Sequence, residues 1–248
     1  MSAFNSFQDI LPDPNNSISY AGDDDSGNVG GANGPGFASV SFISEQPLLR
    51  DRTNSGRILT RALVFHKWKM SISYNPMTRE EFEPVHNFLL QRRAALSPFF
   101  VSLPQYRVPQ DSTFATYAAS NNLEATAAIS AGATQALISK SGYSSATNKT
   151  PRPGDLFTIN GTNSNHLKTY QVTRIETRDD YLTSGTQPSS TNQIRIHFVP
   201  GFAKAVASGD DFVFHNPLVK VVQTSPTREY SLNTDNLYSF SLSLEEVQ

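Results

Sequence analysis

The alternation between Val64 and Tyr74 restricts the fold more than any other stretch. Even positions carry Val64, His66, Trp68, Met70, Ile72 and Tyr74; odd positions carry Phe65, Lys67, Lys69, Ser71 and Ser73. A period of two puts one set on each side of an extended chain, so this is a long half-buried strand with one dry face. The strand belongs to a larger unit, Ile58–Pro104, that reads strand or tight strand pair, turn, amphipathic helix, strand. Asn75-Pro76 breaks the first part, because the residue before proline is pushed out of helical backbone space. Thr78 precedes Glu81 by three, the spacing of a capping box. Phe82, Val85 and Leu89, widened by Phe88, mark one face of a helix predicted over 79–95. Pro84 suits a first helical turn but not an interior, which leaves open a start nearer Glu83. Ser97-Pro98 stops the helix. Phe99, Phe100, Val101 and Leu103 are too apolar for a solvent-facing strand, so that strand is central or lies under the helix.

The chain has 248 residues, enough for one large mainly β domain or two smaller ones. Residues 1–36 read as a flexible arm. Its stretch Gly22–Gly36 is rich in glycine and acid and holds too little apolar surface to offset the entropy of ordering. Asp23–Asp25 lacks the twelve-residue ligand pattern of a calcium loop, and no Gly-Lys-Ser/Thr makes the glycines a phosphate loop. Phe37–Arg50 alternates as a strand, and Asp51–Arg57 reads as a polar loop. Val108–Asn122 reads as a linker. A second module then runs from Leu123 to Leu218 with a strand–turn–strand beat, the mark of a small β-barrel or sandwich. Its strands fall in EATAAISAG, QALISKSGYSS, GDLFTIN, KTYQVTRIET, NQIRIHFVP and DDFVFH, and Gly154-Asp155 and Asn160-Gly161 are hairpin-type dipeptides. The end of the chain returns to long alternation: Tyr238, Phe240, Leu242 and Leu244 on one side, Ser239, Ser241, Ser243 and Glu245 on the other. This matches the character of Val64–Tyr74 and predicts that the two strands share a sheet. The module 123–218 would then interrupt a first domain made of 37–107 and 219–248.

Several chemistries are absent from the sequence. There is no cysteine, which removes disulfides, thiolate ligands and thiol nucleophiles. The net charge of −2 gives no basic balance of the kind that grips nucleic acid. No apolar run is long enough to cross a bilayer as a helix, and the polar start MSAFNSFQDILPDP is unlike a secretory leader; the expectation is a chain folded in the cytoplasm. No Gly-x-Ser-x-Gly or His-Glu-x-x-His occurs, and the five histidines show no metal-ligand spacing. His66 falls on an apolar strand face and reads as a core histidine. The acid pairs Glu80/Glu81, Asp179/Asp180, Asp210/Asp211 and Glu245/Glu246 sit at turns or element ends and read as solvated surface. The sequence thus predicts no catalytic residue, cofactor or metal. Arg92 and Arg93, beside an apolar helix face, suit a subunit interface, since arginine is enriched there and pairs bidentately with carboxylates; Glu80 and Glu81 complete that candidate set.

The succession of a strand Trp68–Tyr74, a helix with Glu81-Phe82, Phe88-Leu89 and Arg92-Arg93, a Pro98-Phe99-Phe100 strand closing at Pro104, and a last strand Tyr238–Val247 resembles the distal tail or tail-tip proteins of tailed bacteriophages. The middle module, through 152–159, 168–173, 194–200 and 208–214, is similar to a β insertion found in many of them. The likeness spans about two thirds of the chain by pattern. It departs where the family often has glycine after the helix and this chain has Arg93-Ala94-Ala95-Leu96-Ser97. The resemblance implies a tail-tube-like split β-barrel with one packed helix and an inserted small β domain. It also implies a virion protein without enzyme activity that forms a homo-oligomeric ring, a hexamer or in some relatives a trimer. Its partners would be the tail tube protein and the hub, spike or tail fibre proteins. DNA would pass through its lumen without specific binding, and no membrane insertion is implied. The other reading is a virion carbohydrate- or receptor-binding module, with Tyr143, Tyr181 and Phe202 exposed on the insertion as stacking residues.

Overall fold

The computed structural model describes residues 9–16, 34–62, 66–161, 166, 168–181, 188–225 and 230–247. The chain is mainly β and divides into two compact units, Met1–Val101 with Lys220–Val247, and Ser102–Val219.

The first unit is built on a five-stranded sheet. Its strands are β1 (Phe37–Glu45), β4 (Lys67–Tyr74), β5 (Phe99–Ser102), β12 (Leu218–Gln223) and β15 (Ser241–Glu246), in the order β1-β4-β15-β12-β5. The shared alternation of the Trp68–Tyr74 and C-terminal strands has the predicted consequence: β15 pairs antiparallel with β4, Leu242 opposite Ile72 and Leu244 opposite Met70. Trp68, Met70, Ile72, Tyr74, Leu242 and Leu244 are all buried on one side. His66 is buried beside them, its Nε2 2.8 Å from the Ser44 hydroxyl, as expected of a core histidine.

Helix α1 (Arg79–Arg92) covers that dry side through Phe82, Val85, Phe88 and Leu89. The Phe88 ring meets Phe99 edge-on at 5.4 Å, and Phe82 meets Phe240 at 5.9 Å. The helix begins at the capping box and not near Glu83: the Thr78 amide donates to Glu81 Oε2 at 2.9 Å. Pro84 is therefore inside the helix, where its missing N–H leaves the carbonyl four residues earlier, on exposed Glu80, to water. The helix ends on Arg93 and Ala94, with φ of 50° and 56°. This left-handed turn is ordinarily glycine's; here the amide of Ser97 closes it on the Arg92 carbonyl at 3.1 Å.

Residues 9–16, within the stretch read as an arm, sit on this unit. Ile10 bridges to Phe100, the Leu11 amide donates to the Phe100 carbonyl at 2.8 Å, and Leu11 is fully buried. The Gly34 amide donates to the Asp13 carbonyl at 3.0 Å, and a Cβ on Gly34 would lie 2.3 Å from the Pro12 carbonyl carbon, so only glycine fits. Asp23–Asp25 and most of Gly22–Gly36 lie outside the described residues.

Between β1 and β4 the chain forms a separate two-stranded hairpin, β2 (Leu48–Arg52) with β3 (Ile58–Ala62). The polar loop expected over Asp51–Arg57 is shorter, because Asp51 and Arg52 belong to β2. The Thr53 amide donates to the Arg57 carbonyl, and Gly56 takes φ of 82°. A second small ribbon joins β13 (Ser231–Leu232) to β14 (Tyr238–Ser239).

The second unit is a closed barrel of β10 (Gln193–Val199), β7 (Gln135–Ser139), β6 (Leu123–Ala125), β11 (Asp211–Val213), β8 (Leu156–Asn160) and β9 (Thr169–Glu176), in that order around the ring. Five of the six strands fall within the segments where the sequence shows them, and β6 begins one residue ahead of its segment, at Leu123. Neither hairpin dipeptide joins two strands tightly. Gly154-Asp155 ends a turn before β8, and Asn160-Gly161 opens the longer connection to β9. The stretch expected to be a linker, Val108–Asn122, contains helix α2 (Ser112–Ala118). The Asp111 carboxylate caps it by accepting from the Thr113 and Phe114 amides, and Phe114, Ala115 and Ala118 are buried. Helix α2 is too short for a helical period to stand out among threonines and alanines, which is why pattern reading passes over it.

Candidate functional site

No group of three His, Cys, Asp or Glu side chains able to hold a metal ion occurs among the described residues, and no helix is long and apolar enough to cross a membrane. The acid pairs are not all solvated surface as expected: Asp210 and Glu246 are buried, because each carboxylate turns inward to accept from a backbone amide, and other members have local duties too. Glu81 closes the α1 cap. Asp180 accepts from the Thr177 amide at the start of a 3-10 turn, and Asp210 accepts from the Ala207 amide at 2.8 Å. Glu245 forms a 3.6 Å ion pair with Lys67.

Three surface features of the first unit stand out. The first is the outer side of the sheet. Register places Ser39, Ser73 and Ser241 in one row, and Ser41, Ser71 and Ser243 in the next. These six hydroxyls span three adjacent strands, and the Ser39 and Ser73 hydroxyls are 2.7 Å apart. The charges beside them are paired across strands, Lys69 with Glu45 at 2.9 Å and Lys67 with Glu245. The face is therefore hydroxylated and near neutral.

The second feature is an aromatic stack where α1 meets the β13–β14 ribbon. Phe82 lies parallel to Tyr238 at 4.5 Å and to His86 at 5.0 Å, with Tyr230 tilted at 5.1 Å. Tyr230 is half exposed, so the stack runs from core to surface. The third is the β2–β3 hairpin, where Leu48, Leu49, Ile58 and Leu59 are all at least 42% exposed.

The candidate interface residues have separate fates. The Arg92 guanidinium is mostly buried, 2.6 Å from Asp9 and 4.8 Å above the Phe88 ring, so it holds the N-terminal segment to the helix. Arg93, Glu80 and Glu81 are exposed. The stacking candidates on the barrel are placed differently from expectation. Tyr143 and Phe202 are buried in its core; the Tyr143 hydroxyl donates to the Lys149 carbonyl at 2.6 Å, and Phe202 packs on Phe198 at 4.3 Å. Large rings lying in loops between strands fold inward to complete a small barrel's interior, and they offer no face to a sugar. The side chain of Tyr181 lies outside the described residues.

The barrel also buries His166 against Tyr170 and Phe202, with Nε2 3.0 Å from the Lys204 carbonyl oxygen and 3.2 Å from the Lys204 amide nitrogen. Burial lowers its pKa below the ordinary value of 6.5. Folding therefore favours the neutral ring. The stability is fully present above the unfolded-state value and is lost as pH falls from there toward the lowered folded value. Urea unfolding between pH 8 and pH 5 is expected to show a steeper loss for the wild type than for His166→Phe, which cannot titrate. Parallel curves would refute the assignment.

A hydroxylated sheet face, a helix braced by aromatics and an exposed apolar hairpin mark the surface of the first unit. Comparison with known proteins points to the phage tail. Residues 28–106 match the family model described as distal tail protein pb9, A domain, N-terminal. The chain is also 25% identical over 241 residues to distal tail protein pb9 of Escherichia phage T5, covering 95% of this chain and 98% of that one. The resemblance to distal tail proteins read from the residues is borne out. These likenesses support a structural role in a phage tail, with the association with other tail components and the place in the virion that this implies. The matched family is structural and is not an enzyme family.

Proposed function

We propose that this chain forms a ring at the distal end of a phage tail. The ring is a hexamer, with a trimer as the other order. It joins the tail tube to the hub, spike or fibre proteins and leaves a channel through which DNA passes. The carrying observation is the likeness to a distal tail protein over nearly the full length of both chains. Residues 37–107 with 219–248 serve as the tail-tube-like core, and 123–218 as the inserted module. Exposed Arg93, Glu80 and Glu81 belong to the contact between subunits. The serine rows suit the channel wall: hydroxyls and paired charges offer passing phosphate no net positive charge to adhere to. The subunits assemble in the host cytoplasm and are carried in the virion, with no catalytic step or cofactor.

Light scattering on the purified chain, with electron microscopy of virions labelled by an antibody to it, tests this reading. A closed oligomer and label at the tail tip are expected. A monomer at every concentration, with no label on tails, would overturn it. The receptor-binding reading is weakened by the burial of Tyr143 and Phe202.

A further inference from the structure

The chain holds two Asn-Gly dipeptides, Asn33-Gly34 and Asn160-Gly161. In such a pair the asparagine side-chain carbonyl stands within reach of the glycine backbone nitrogen, so an attack between them is intramolecular. Glycine has no Cβ and leaves that nitrogen sterically open. The attacking nitrogen must give up its proton, and a hydrogen bond that holds the proton opposes the reaction.

The two dipeptides differ in this respect. The Gly34 amide donates to the Asp13 carbonyl at 3.0 Å. Gly161 lies just past the end of β8, and its amide meets no hydrogen-bond acceptor among the described residues. Asn160 closes β8 and is exposed. It is paired only on the β11 side, because the β8–β9 register stops at Thr158.

The surroundings make a new negative charge costly here. Register places Asn160 directly opposite Asp211, and Asp211 opposite Glu124 on β6. These three side chains form one row on the outer side of the barrel, since their neighbours Ile159, Phe212 and Leu123 are buried inside it. Glu124 is paired with Lys140, and the Asn122 side-chain amide donates to the Asp211 carboxylate at 3.5 Å. A carboxylate in place of the Asn160 amide would stand against Asp211. Like charges directly opposite on neighbouring strands destabilise the pairing.

We infer that Asn160-Gly161 is a self-modification site whose conversion to an acid loosens the seam between β8 and β11. The Gly161 nitrogen passes its proton to water and bonds to Asn160 Cγ. The Cγ–Nδ2 bond breaks, and the amide nitrogen takes up a proton and leaves as ammonia. Water then opens the cyclic imide. Opening at Cγ gives aspartate. Opening at the main-chain carbonyl gives isoaspartate, with the chain now running through the side-chain carbons. Water is the only co-reactant, ammonia is the only leaving group, and nothing is oxidised or reduced. Either product sets a carboxylate beside Asp211, and isoaspartate also lengthens the backbone by one carbon where β8 ends.

The test ages the purified full chain in mildly alkaline buffer and maps its peptides by mass spectrometry, with enzymatic methylation to mark isoaspartate. Conversion at Asn160 is expected to run roughly tenfold ahead of conversion at Asn33, the factor that one net hydrogen bond supplies. Asn160→Asp, freshly made, is expected to unfold at a lower urea midpoint than fresh wild type, and aged wild type to shift in the same direction. Asn160→Gln keeps an amide but closes the ring poorly, so its midpoint is expected to hold through ageing. An Asn160 that stays an amide, or converts no faster than Asn33, would overturn the site. A chain converted at position 160 that unfolds at the fresh wild-type midpoint would overturn the loosening of the seam.

Discussion

Phe157→Ala is expected to cost the barrel about 3–5 kcal/mol, the usual range for deleting a buried phenylalanine ring. Phe157 is fully buried on β8, with Tyr170, Phe198, Phe212 and Phe214 all at 5.3–5.4 Å between ring centres. Those four rings come from β9, β10, β11 and the residue after β11, so Phe157 is where most strands of the ring meet. Closed β-structure collapses poorly into a vacated space, since each neighbour is held by strand pairing on both sides. Domain stabilities are commonly about 5–15 kcal/mol, so the variant keeps little margin. Urea unfolding followed by circular dichroism measures the loss, with Phe157→Leu as a milder control. A cost below about 1 kcal/mol would show that the rings repack freely, contrary to the close packing of protein interiors.

The second large effect is expected at Phe82→Ala, about 3 kcal/mol and toward the low end of the same range. Phe82 is buried under Tyr238, His86, Tyr230 and Phe240, but Tyr230 and Tyr238 have partial access to solvent and can move into the gap. The consequence differs in kind from that at Phe157. Phe82 ties α1 to the β13–β14 ribbon, so its loss should loosen that ribbon before the sheet itself opens. Hydrogen exchange provides the check. Faster exchange at the Tyr238 amide, which donates to the Met77 carbonyl at 2.8 Å, with unchanged exchange on β4, is the expected pattern. Equal acceleration on β4 would contradict it.

Much of the fold was legible because burial follows period. The β4–β15 pairing follows from two strands with one apolar and one serine-rich side, and the six barrel strands follow from apolar runs between turns. The helix start at Thr78 was legible through its capping box. Other features depend on tertiary context that no local pattern records. Tyr143 and Phe202 stand in loops, where a ring can face either way, and only barrel closure turns them inward. Arg92 reads as available for a partner, and only the folded chain brings Asp9 to it over the Phe88 ring. The strand–loop–strand order around Asp51–Arg57 was legible, but the break that splits Phe37–Arg50 into β1 and β2 was not, because Leu48-Leu49 interrupts the alternation without a turn signal.

The position of the barrel within the chain has a further consequence. Chain leaves the sheet at the end of β5 and re-enters it at β12, and these two strands are neighbours in the sheet. The Ser102 hydroxyl at the end of β5 donates to Asn216 Oδ1, two residues before β12, at 2.5 Å, so exit and entry lie side by side. Such a layout lets one scaffold accept interchangeable cassettes. A deletion that joins the two strands through a short glycine-serine bridge spans only the gap between adjacent strands, about 5 Å. The sheet can keep its order while the segment carried between β5 and β12 changes.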